Sequence, residues 1–512
     1  MIYWSPDVYQ SLFFHFGVKV KDPSAGPPLV CFNGGIMVDS GNEAKSYLFS
    51  CQDRYPVYAA LGGMRCLLFV RNSEHVDQYQ ANIASVARHM DIIQRYANTL
   101  SGFDIPEPLF VPCEIDPPEV RLGLGEKLML QICDSEVINS HVRGGVYFNQ
   151  LSPTISGLLS QFYDFLETHG IESQARLNDY QRMALCALEW HDKSRYVRLL
   201  KGLCDNTQLP PHIPTAMFSS RLLKSMNWRN LLELFQQQTG NTDTQEFFLK
   251  SGVDAAGEVS IILNRKNFDL ESRNLTDEIA IKVNQMGRNK NEVQLLLQPL
   301  IERFDDACGL PSSVGVTYNI HDTNCIERLV IVGHVYEDPQ RRAFIGSFQS
   351  EAFTQHVLQA IGEFKIIKLL QLFAEQGYRG PINLDAVRNS KGEYTFIYDS
   401  NPRLGGAFPG LILKSVLEQS GHQVGTLLTL GYRGRIIYPD IEAKLIELKG
   451  LDLLYTQNHQ RGIYILPSLV RSDSYDLILI NMEMKEMRQL IASGLINSRS
   501  DEGQSDLRGI YL

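Results

Sequence analysis

Apolar positions in the first part of the chain form short strand-like runs separated by longer stretches with helical spacing. The strand-like runs lie at 29–32, 66–70, 109–111 and 128–132. Between the second and third runs, apolar residues at 74–100 recur every three or four positions, the period of an amphipathic helix. Alternation of strands and helices is typical of an open, largely parallel sheet, so we predict an α/β domain over residues 1–188.

After residue 188 the pattern becomes a mixture of strands and helices. Strand-like runs at 246–250, 293–297, 314–320 and 328–335 precede a long helical pattern at 350–376. That helix is predicted to end at Gly377, because glycine commonly terminates helices. The mixture predicts an α+β domain over 189–443, and short strands after it predict a small α+β domain over 444–512 with a loose polar end.

A β-hairpin is predicted in the second domain. Apolar, β-favouring runs at 382–388 and 394–399 flank a turn-rich connection. If the whole connection loops out, Asp385 lies opposite Ile397. Asp399 is then the diagonal neighbour of Asp385 on the same face, roughly 7–8 Å away.

The end of this hairpin carries candidate ligands for a cation. Side chains alternate along a strand, so Asn401 shares the face of Asp399, and three oxygen donors converge with Asp385. Magnesium accepts few carboxylates and completes its shell with water and phosphate oxygens. Arg403, next to a Gly-Gly turn, could reach a phosphate as a planar fork. The alternative is a hairpin whose acids are solvated on an open face.

Composition narrows the classes of function. The chain has 512 residues, 44% of them hydrophobic and 21% charged, which is ordinary for a globular protein of about three domains. A net charge of −10 argues against general nucleic-acid binding. Nine cysteines without a Cys-x-x-Cys pair argue against a disulfide framework or a zinc site. With neither a secretory signal nor a membrane-length apolar run, we expect a soluble cytoplasmic protein without a membrane partner.

The run from Gly377 through Gly380-Pro381 and Asp385 to Asp399-Ser400-Asn401-Pro402-Arg403 resembles the metal-binding end of the ATP-grasp ligases. The resemblance implies ATP held between two small α+β lobes. It also implies Mg²⁺, with Mn²⁺ as a substitute, bound by Asp385, Asp399 and Asn401, and Arg403 on the transferred phosphate. One departure is Asp399, where most members have Glu, and this shortens the arm without removing a ligand.

The resemblance implies two phosphate-binding lysines upstream. Lys193, in the run Asp192-Lys193-Ser194 that opens a helix, would contact phosphate. Lys250 ends an apolar strand before a small-residue loop that contains Gly252 and Gly257, whose backbone N–H groups can cradle phosphate oxygens. For both lysines the alternative is a solvated surface position.

The run Gln298-Pro299-Leu300-Ile301 resembles the hinge whose backbone pairs with adenine in the family. Gln298 stands where Glu is common, and its amide oxygen can accept a hydrogen bond from the adenine amino group. Because Pro299 has no N–H, Ile301 is the expected backbone donor, with Leu300 in the same hinge. Glu302 would hold the ribose or, equally, be solvated.

Other polar residues have weaker signals. Arg341-Arg342 could bind a substrate carboxylate or its acyl phosphate, or form a solvated turn. His321 and His334 lack metal-like spacing, and we interpret both as surface or packing residues.

The whole chain more weakly resembles pheganomycin-type peptide ligases, which have a pre-ATP-grasp domain, an ATP-grasp domain and a small C-terminal domain. This implies carboxylate–amine ligation through an acyl phosphate, with small-molecule or peptide carboxylate and amine substrates, in natural-product biosynthesis. A homodimer is compatible with the resemblance. Two alternatives stay open, an ATP-grasp carboxylase and a nucleotide-binding regulatory protein.

Overall fold

The structure is a computed structural model that describes most of the chain beyond residue 177 and shorter parts before it. The described residues are 14–16, 29–31, 55–71, 109–113, 146–148, 177–203, 208–223, 225–252, 260–268, 293–301, 311–336, 344–433, 439–456, 458–467 and 474–492. They contain three sheets.

The N-terminal sheet has five strands in the order β1-β5-β2-β3-β4. Its strands are β1 (Phe14–Phe16), β2 (Leu29–Cys31), β3 (Arg65–Arg71), β4 (Leu109–Cys113) and β5 (Val146–Phe148). All neighbours are parallel except the edge strand β1, so the prediction of an open, largely parallel sheet is confirmed. The predicted helix at 74–100 and strand at 128–132 lie outside the described residues.

A four-stranded antiparallel sheet, ordered β6-β9-β7-β8, forms the smaller of two lobes. Its strands are β6 (Ala216–Ser219), β7 (Glu246–Ser251), β8 (Ser260–Asn264) and β9 (Gln294–Pro299). Three helices precede this lobe in the chain, α1 (Tyr55–Leu61), α2 (Leu177–Trp190) and α3 (Lys193–Lys201). The lobe itself contains α4 (Ser220–Leu223) and α5 (Trp228–Thr239). Helix α5 buries Leu231 and Phe235 against the sheet.

The larger lobe is an eight-stranded antiparallel sheet ordered β14-β13-β10-β11-β12-β15-β17-β16. Its strands are β10 (Ser313–Ile320), β11 (Ile326–Tyr336), β12 (Phe344–Ser350), β13 (Gly380–Arg388), β14 (Tyr394–Asn401), β15 (Thr426–Arg433), β16 (Gly462–Pro467) and β17 (Ser474–Ile480). The strands after residue 444 thus extend this sheet. The predicted domain boundaries stay predictions.

Helices pack on both faces of the larger sheet. They are α6 (Glu351–Ile361), α7 (Glu363–Glu375), α8 (Phe408–Gln419), α9 (Pro439–Gly450) and α10 (Met484–Ala492). Apolar residues of α6 and α7 join one core cluster, while α8 joins a second with α1. A 3₁₀ turn, Gly405–Ala407, leads into α8.

The predicted helix at 350–376 is wrong in one respect, because it is divided in two at Gly362. That glycine has a φ of +89°, which ends α6 before α7 begins. The predicted end at Gly377, with a φ of +91°, is confirmed.

Two antiparallel lobes following an open parallel sheet confirm the predicted α/β and α+β fold class. Within the described residues, no helix is both long and apolar enough to cross a membrane.

Candidate nucleotide and metal site

Asp385 and Asp399 face each other across the hairpin of β13 and β14. Ala386 pairs with Phe396, but the next pair along is Asp385 with Asp399. The two residues after Phe396 therefore have no partner in β13 and form a bulge. The predicted hairpin is present, but the predicted register, with Asp385 opposite Ile397, is wrong because the bulge advances β14 beyond a regular ladder.

Alternation along β14 directs Asn401 to the same side as Asp399. Both are partly exposed, whereas Ser400 between them is buried and its Oγ donates to the Trp190 carbonyl at 2.7 Å. The three oxygen-bearing side chains, including Asp385, are thus at the same end of the hairpin.

A hydrogen-bond chain orients the carboxylate of Asp385. Asn383 Nδ2 donates to Asp385 Oδ1 at 2.6 Å, and Thr317 Oγ1 donates to Asn383 Oδ1 at 2.9 Å. Thr317 and Asn383 are buried, so the chain holds one carboxylate oxygen in a defined position.

The carboxyl group of Asp385 is harder to ionise than a solvated one. Burial and, next, the neighbouring charge of Asp399 raise the pKa of Asp385 to about 7, against the opposing effects of Asn383, Lys250 and Lys193. Near neutral pH, a proton and a metal ion would therefore compete for this carboxylate.

Two buried lysines flank Asp399. Lys193 Nζ lies 3.8 Å from Asp399 Oδ1, and Lys250 Nζ lies 3.8 Å from Asp399 Oδ2. Both lysines are at most 6% exposed, which argues against the solvated alternative for either.

The local folding of two segments explains why both lysines arrive here. Asp192 caps α3 by accepting from Ser194 N at 2.9 Å. The first helical residue, Lys193, donates its backbone N–H to the Gly252 carbonyl at 2.7 Å. A Cβ on Gly252 would lie 3.0 Å from Asp192 Oδ1 and 3.1 Å from the Gln294 carbonyl, so glycine permits this approach. Gly257 lies outside the described residues.

The predicted adenine hinge is at the end of β9. Gln298 is 2% exposed, and its Nε2 donates to Thr215 Oγ1 and to the Ile397 carbonyl, both at 3.1 Å. The Leu300 N–H donates to the Glu246 carbonyl at 2.9 Å, which favours Ile301 as the hinge donor. Glu302 lies outside the described residues.

Of the three predicted arginines, the structure describes only Arg403. Arg403 follows the hairpin, with its backbone N–H donating to the Asn401 carbonyl at 2.7 Å. Gly405, with a φ of +57°, begins the turn beside the Arg403 side chain. Arg341 and Arg342 lie outside the described residues.

Two polar residues of this site were missed by the sequence reasoning. Asn383 lies two positions before Asp385 in a strand, a spacing that indicates a shared face. His334 is buried, in agreement with its interpretation as a packing residue. However, its Nε2 lies 3.8 Å from Asp385 Oδ1, and its Nδ1 lies 3.2 Å from Ser313 Oγ. Its proximity depends on strand pairing between β10, β11 and β13, which local spacing does not reveal.

The donor set fits magnesium. Two carboxylates and one amide are hard oxygen donors, and Mg²⁺ completes its shell with water and phosphate oxygens. A nearby cation would stabilise the ionised form of Asp385, whose pKa is raised by burial and by the like charge of Asp399. The described part of the chain holds no cluster of three or more His, Cys, Asp or Glu side chains suited to a metal ion. Asp385, Asp399 and Asn401 would leave the other positions of an octahedral Mg²⁺ to water and phosphate oxygens.

No protein-family profile matches the chain, and no curated protein matches it. Among solved structures, N5-carboxyaminoimidazole synthetase from Staphylococcus aureus complexed with ADP is 10% identical, with a TM-score of 0.46 over 95% of this chain and 99% of that chain. The biotin carboxylase domain of Hydrogenobacter thermophilus 2-oxoglutarate carboxylase, in complex with MgADP, is 14% identical, with a TM-score of 0.47 over 90% and 88%. D-cycloserine synthetase DcsG is 12% identical, with a TM-score of 0.32 over 69% and 97%.

These TM-scores all lie below 0.5, and the three identities lie between 10% and 14%. Lys250 of the smaller lobe contacts the Ile397 carbonyl and Asp399 of the larger lobe. Two antiparallel lobes are therefore in contact at a site lined by lysines and carboxylates.

Proposed function

We propose that the protein is an ATP-dependent carboxylate–amine ligase that forms a C–N bond and releases ADP. The observation that supports this most is the group of Asp385, Asp399, Lys193 and Lys250 between two lobes. Burying charged groups is costly and contributes little net stability. A ligand that carries both phosphate and a cation would explain the group, because the lysines can bind the phosphate and the carboxylates can bind the cation.

The lysines and the carboxylates would divide the work of binding Mg-ATP. Lys193 and Lys250 would neutralise phosphate oxygens, and Gln298, Leu300 and Ile301 would face the adenine. Asp385, Asp399 and Asn401 would hold Mg²⁺, which when bound neutralises charge on the phosphates. Binding by Mn²⁺ instead stays a prediction, as do the roles of Gly252, Gly257 and Glu302.

The reaction we propose has two steps. The oxygen of a substrate carboxylate attacks the γ-phosphorus, and the bond from this phosphorus to the β,γ-bridging oxygen breaks. The products of this step are ADP and an acyl phosphate. An amine then attacks the acyl carbon, expels inorganic phosphate and loses a proton to form the amide. The chain aligns these groups and offsets developing charge, for which Arg403 is the candidate near the phosphate.

The substrates are proposed to be amino-acid or peptide units, used in natural-product biosynthesis in the cytoplasm. Arg341 and Arg342 are the candidates for holding the carboxylate or its acyl phosphate. A homodimer stays a prediction.

The test is ADP release from Mg-ATP with pools of amino acids and short peptides, followed by mass analysis of products. We expect release that depends on both a carboxylate and an amine, and a product whose mass equals the two minus water. Bicarbonate-dependent release would support a carboxylase instead. Binding of ATP without turnover in any pool would contradict the ligase and support a regulatory protein.

A further inference from the structure

The bulge in β14 is the most irregular feature next to the candidate site. Continuing the regular pairing of Ala386 with Phe396 would set Asp399 opposite Asn383, and the bulge sets it opposite Asp385 instead. Tyr398, the second bulge residue, has a φ of +53°. A positive φ is unfavourable for a bulky side chain and persists only where the surroundings hold it.

The bulge turns a backbone carbonyl toward the other lobe. The Ile397 carbonyl accepts from Lys250 Nζ at 2.7 Å and from Gln298 Nε2 at 3.1 Å. These donors come from β7 and β9, two different strands of the smaller lobe. One carbonyl of the larger lobe therefore holds two side chains of the predicted nucleotide site.

Pairing along the edge of β14 stops just before this carbonyl. Phe396 donates its N–H to the Pro211 carbonyl at 2.9 Å and accepts from the Ile213 N–H at 3.0 Å. This contact occupies the edge through Phe396. The bulge begins at the next residue, where the backbone contacts change from a neighbouring segment to Lys250 and Gln298.

The Tyr398 ring locks the bulge to the helix that carries Lys193. Its centroid lies 5.1 Å from the Tyr196 ring in α3 and 4.8 Å from the His212 ring. Tyr196 Oη and His212 Nε2 are 2.7 Å apart, and His212 Nδ1 donates to the Pro210 carbonyl at 2.8 Å. Packing on a fixed pair of rings is what compensates for the unfavourable backbone conformation.

We propose that Tyr398 is a positioning residue, whose left-handed backbone aims the Ile397 carbonyl so that Lys250 is held beside Asp399 and Gln298 is held at the predicted adenine hinge. This inference rests on the proposed function, because positioning matters only if the site binds Mg-ATP. The bulge would thus connect the two lobes through the Ile397 carbonyl, next to the lysine that is proposed to bind phosphate.

The test compares two substitutions that both remove the ring. Tyr398→Asn keeps a residue that adopts positive φ readily, whereas Tyr398→Val introduces a β-branched residue that opposes it. We expect the Kd for a non-hydrolysable Mg-ATP analogue to be about tenfold higher in Tyr398→Val than in Tyr398→Asn. The loss of Tm should also be larger in Tyr398→Val, because valine at a positive φ destabilises the folded protein. Equal Kd values in the two variants would overturn the inference and leave a packing role.

Two further measurements keep the inference testable if Tyr398→Val does not fold. Tyr398→Ala and Tyr398→Gly form a second pair, and the glycine variant should bind the analogue more tightly although it has less side chain. A Gln298→Leu background removes one bond to the Ile397 carbonyl, so the difference within a pair should shrink there. An unchanged difference contradicts an action through this carbonyl.

If the wild-type protein fails to bind the analogue, the proposed function fails. Binding with no difference within either pair overturns only the inference.

Discussion

The two ends of the eight-stranded sheet show how one face can hold both a charged site and an apolar core. Paired residues of neighbouring strands share a face, and the row from Asp385 passes through Gly315 and Val332. The same face continues from Gln349 through Leu427 to Ile480. One end of the row is therefore acidic, whereas the other end packs under α8 and α1.

The difference lies in what covers each end. Leu427 and Ile480 are fully buried in a cluster with Phe408 and Ile412 of α8. At the other end, Asp399 keeps 24% of its side chain exposed beneath Lys193 and Lys250. The backbone pattern is thus common to both ends, while the covering element decides whether a position stabilises the fold or contacts a ligand.

The largest expected effect is at the acidic end. Asp399→Asn removes a proposed metal ligand and the partner of both lysines, so we expect turnover to fall by about 10³-fold while the fold remains. Initial rates of ADP release and far-UV circular dichroism measure the two properties. Asp243→Asn, an exposed acid on the smaller lobe, is the matched control. Near wild-type turnover in Asp399→Asn would show that this end is not the site.

The reverse result is expected at the apolar end. Leu427→Ala removes a fully buried side chain, so we expect the free energy of unfolding to fall by about 2–5 kcal/mol. Below the melting temperature, kcat/KM should stay near the wild-type value because no proposed ligand changes. Chemical denaturation gives the stability, and a kcat/KM loss without a stability loss would reverse the comparison.

A third change tests the close packing of Gly315 against Asn383, the residue that donates to Asp385. A Cβ on Gly315 would come within 2.6 Å of Asn383 Oδ1 and 2.8 Å of His334 Nε2. We expect Gly315→Ala to displace the chain that orients Asp385 and to lower kcat/KM by about tenfold. Gly450→Ala is the control, since its Cβ would meet nothing within 4 Å. Equal activity in the two variants would mean that Asn383 does not position Asp385.

The fourth expected effect is the pH dependence of stability. Because the pKa of Asp385 is raised to about 7 in the folded protein from 3.8, the folded state keeps a proton that the unfolded state releases. Its contribution to stability is complete below about pH 4, is lost as pH rises toward about 7, and is constant above that. Asp385→Asn lacks this loss, so the variant should gain stability relative to wild type across that window, by on the order of 1–3 kcal/mol.

Melting temperatures of both proteins from pH 4 to pH 8, with and without Mg²⁺, measure this difference. Effects of carboxylates distant from Asp385 cancel in the comparison. Saturating Mg²⁺ should reduce the advantage of Asp385→Asn at high pH. A difference that is constant with pH would contradict the raised pKa.

Much of this site was predictable from the sequence because its parts are local. Alternation along one strand links Asp399 to Asn401, and the turn-rich connection predicts the hairpin. The lysines were found through motifs at the start of α3 and the end of β7, and the structure brings both to Asp399.

The parts that could not be predicted depend on contacts between distant segments. A bulge at Ile397 leaves no mark in a period-two pattern, so the register was wrong by two residues. His334 reaches Asp385 only because two strand pairings intervene. The division of the long helix at Gly362 was missed because the apolar spacing continues across the glycine.

The most direct test of the central claim is a calorimetric titration of the wild-type protein and Asp399→Asn with a non-hydrolysable ATP analogue, with and without Mg²⁺. We predict that the wild-type protein binds more tightly when Mg²⁺ is present and that Asp399→Asn loses this magnesium dependence. Binding that is equal in all four titrations, or absent from the wild-type protein, would contradict the claim that the acid pair holds the metal of a nucleotide.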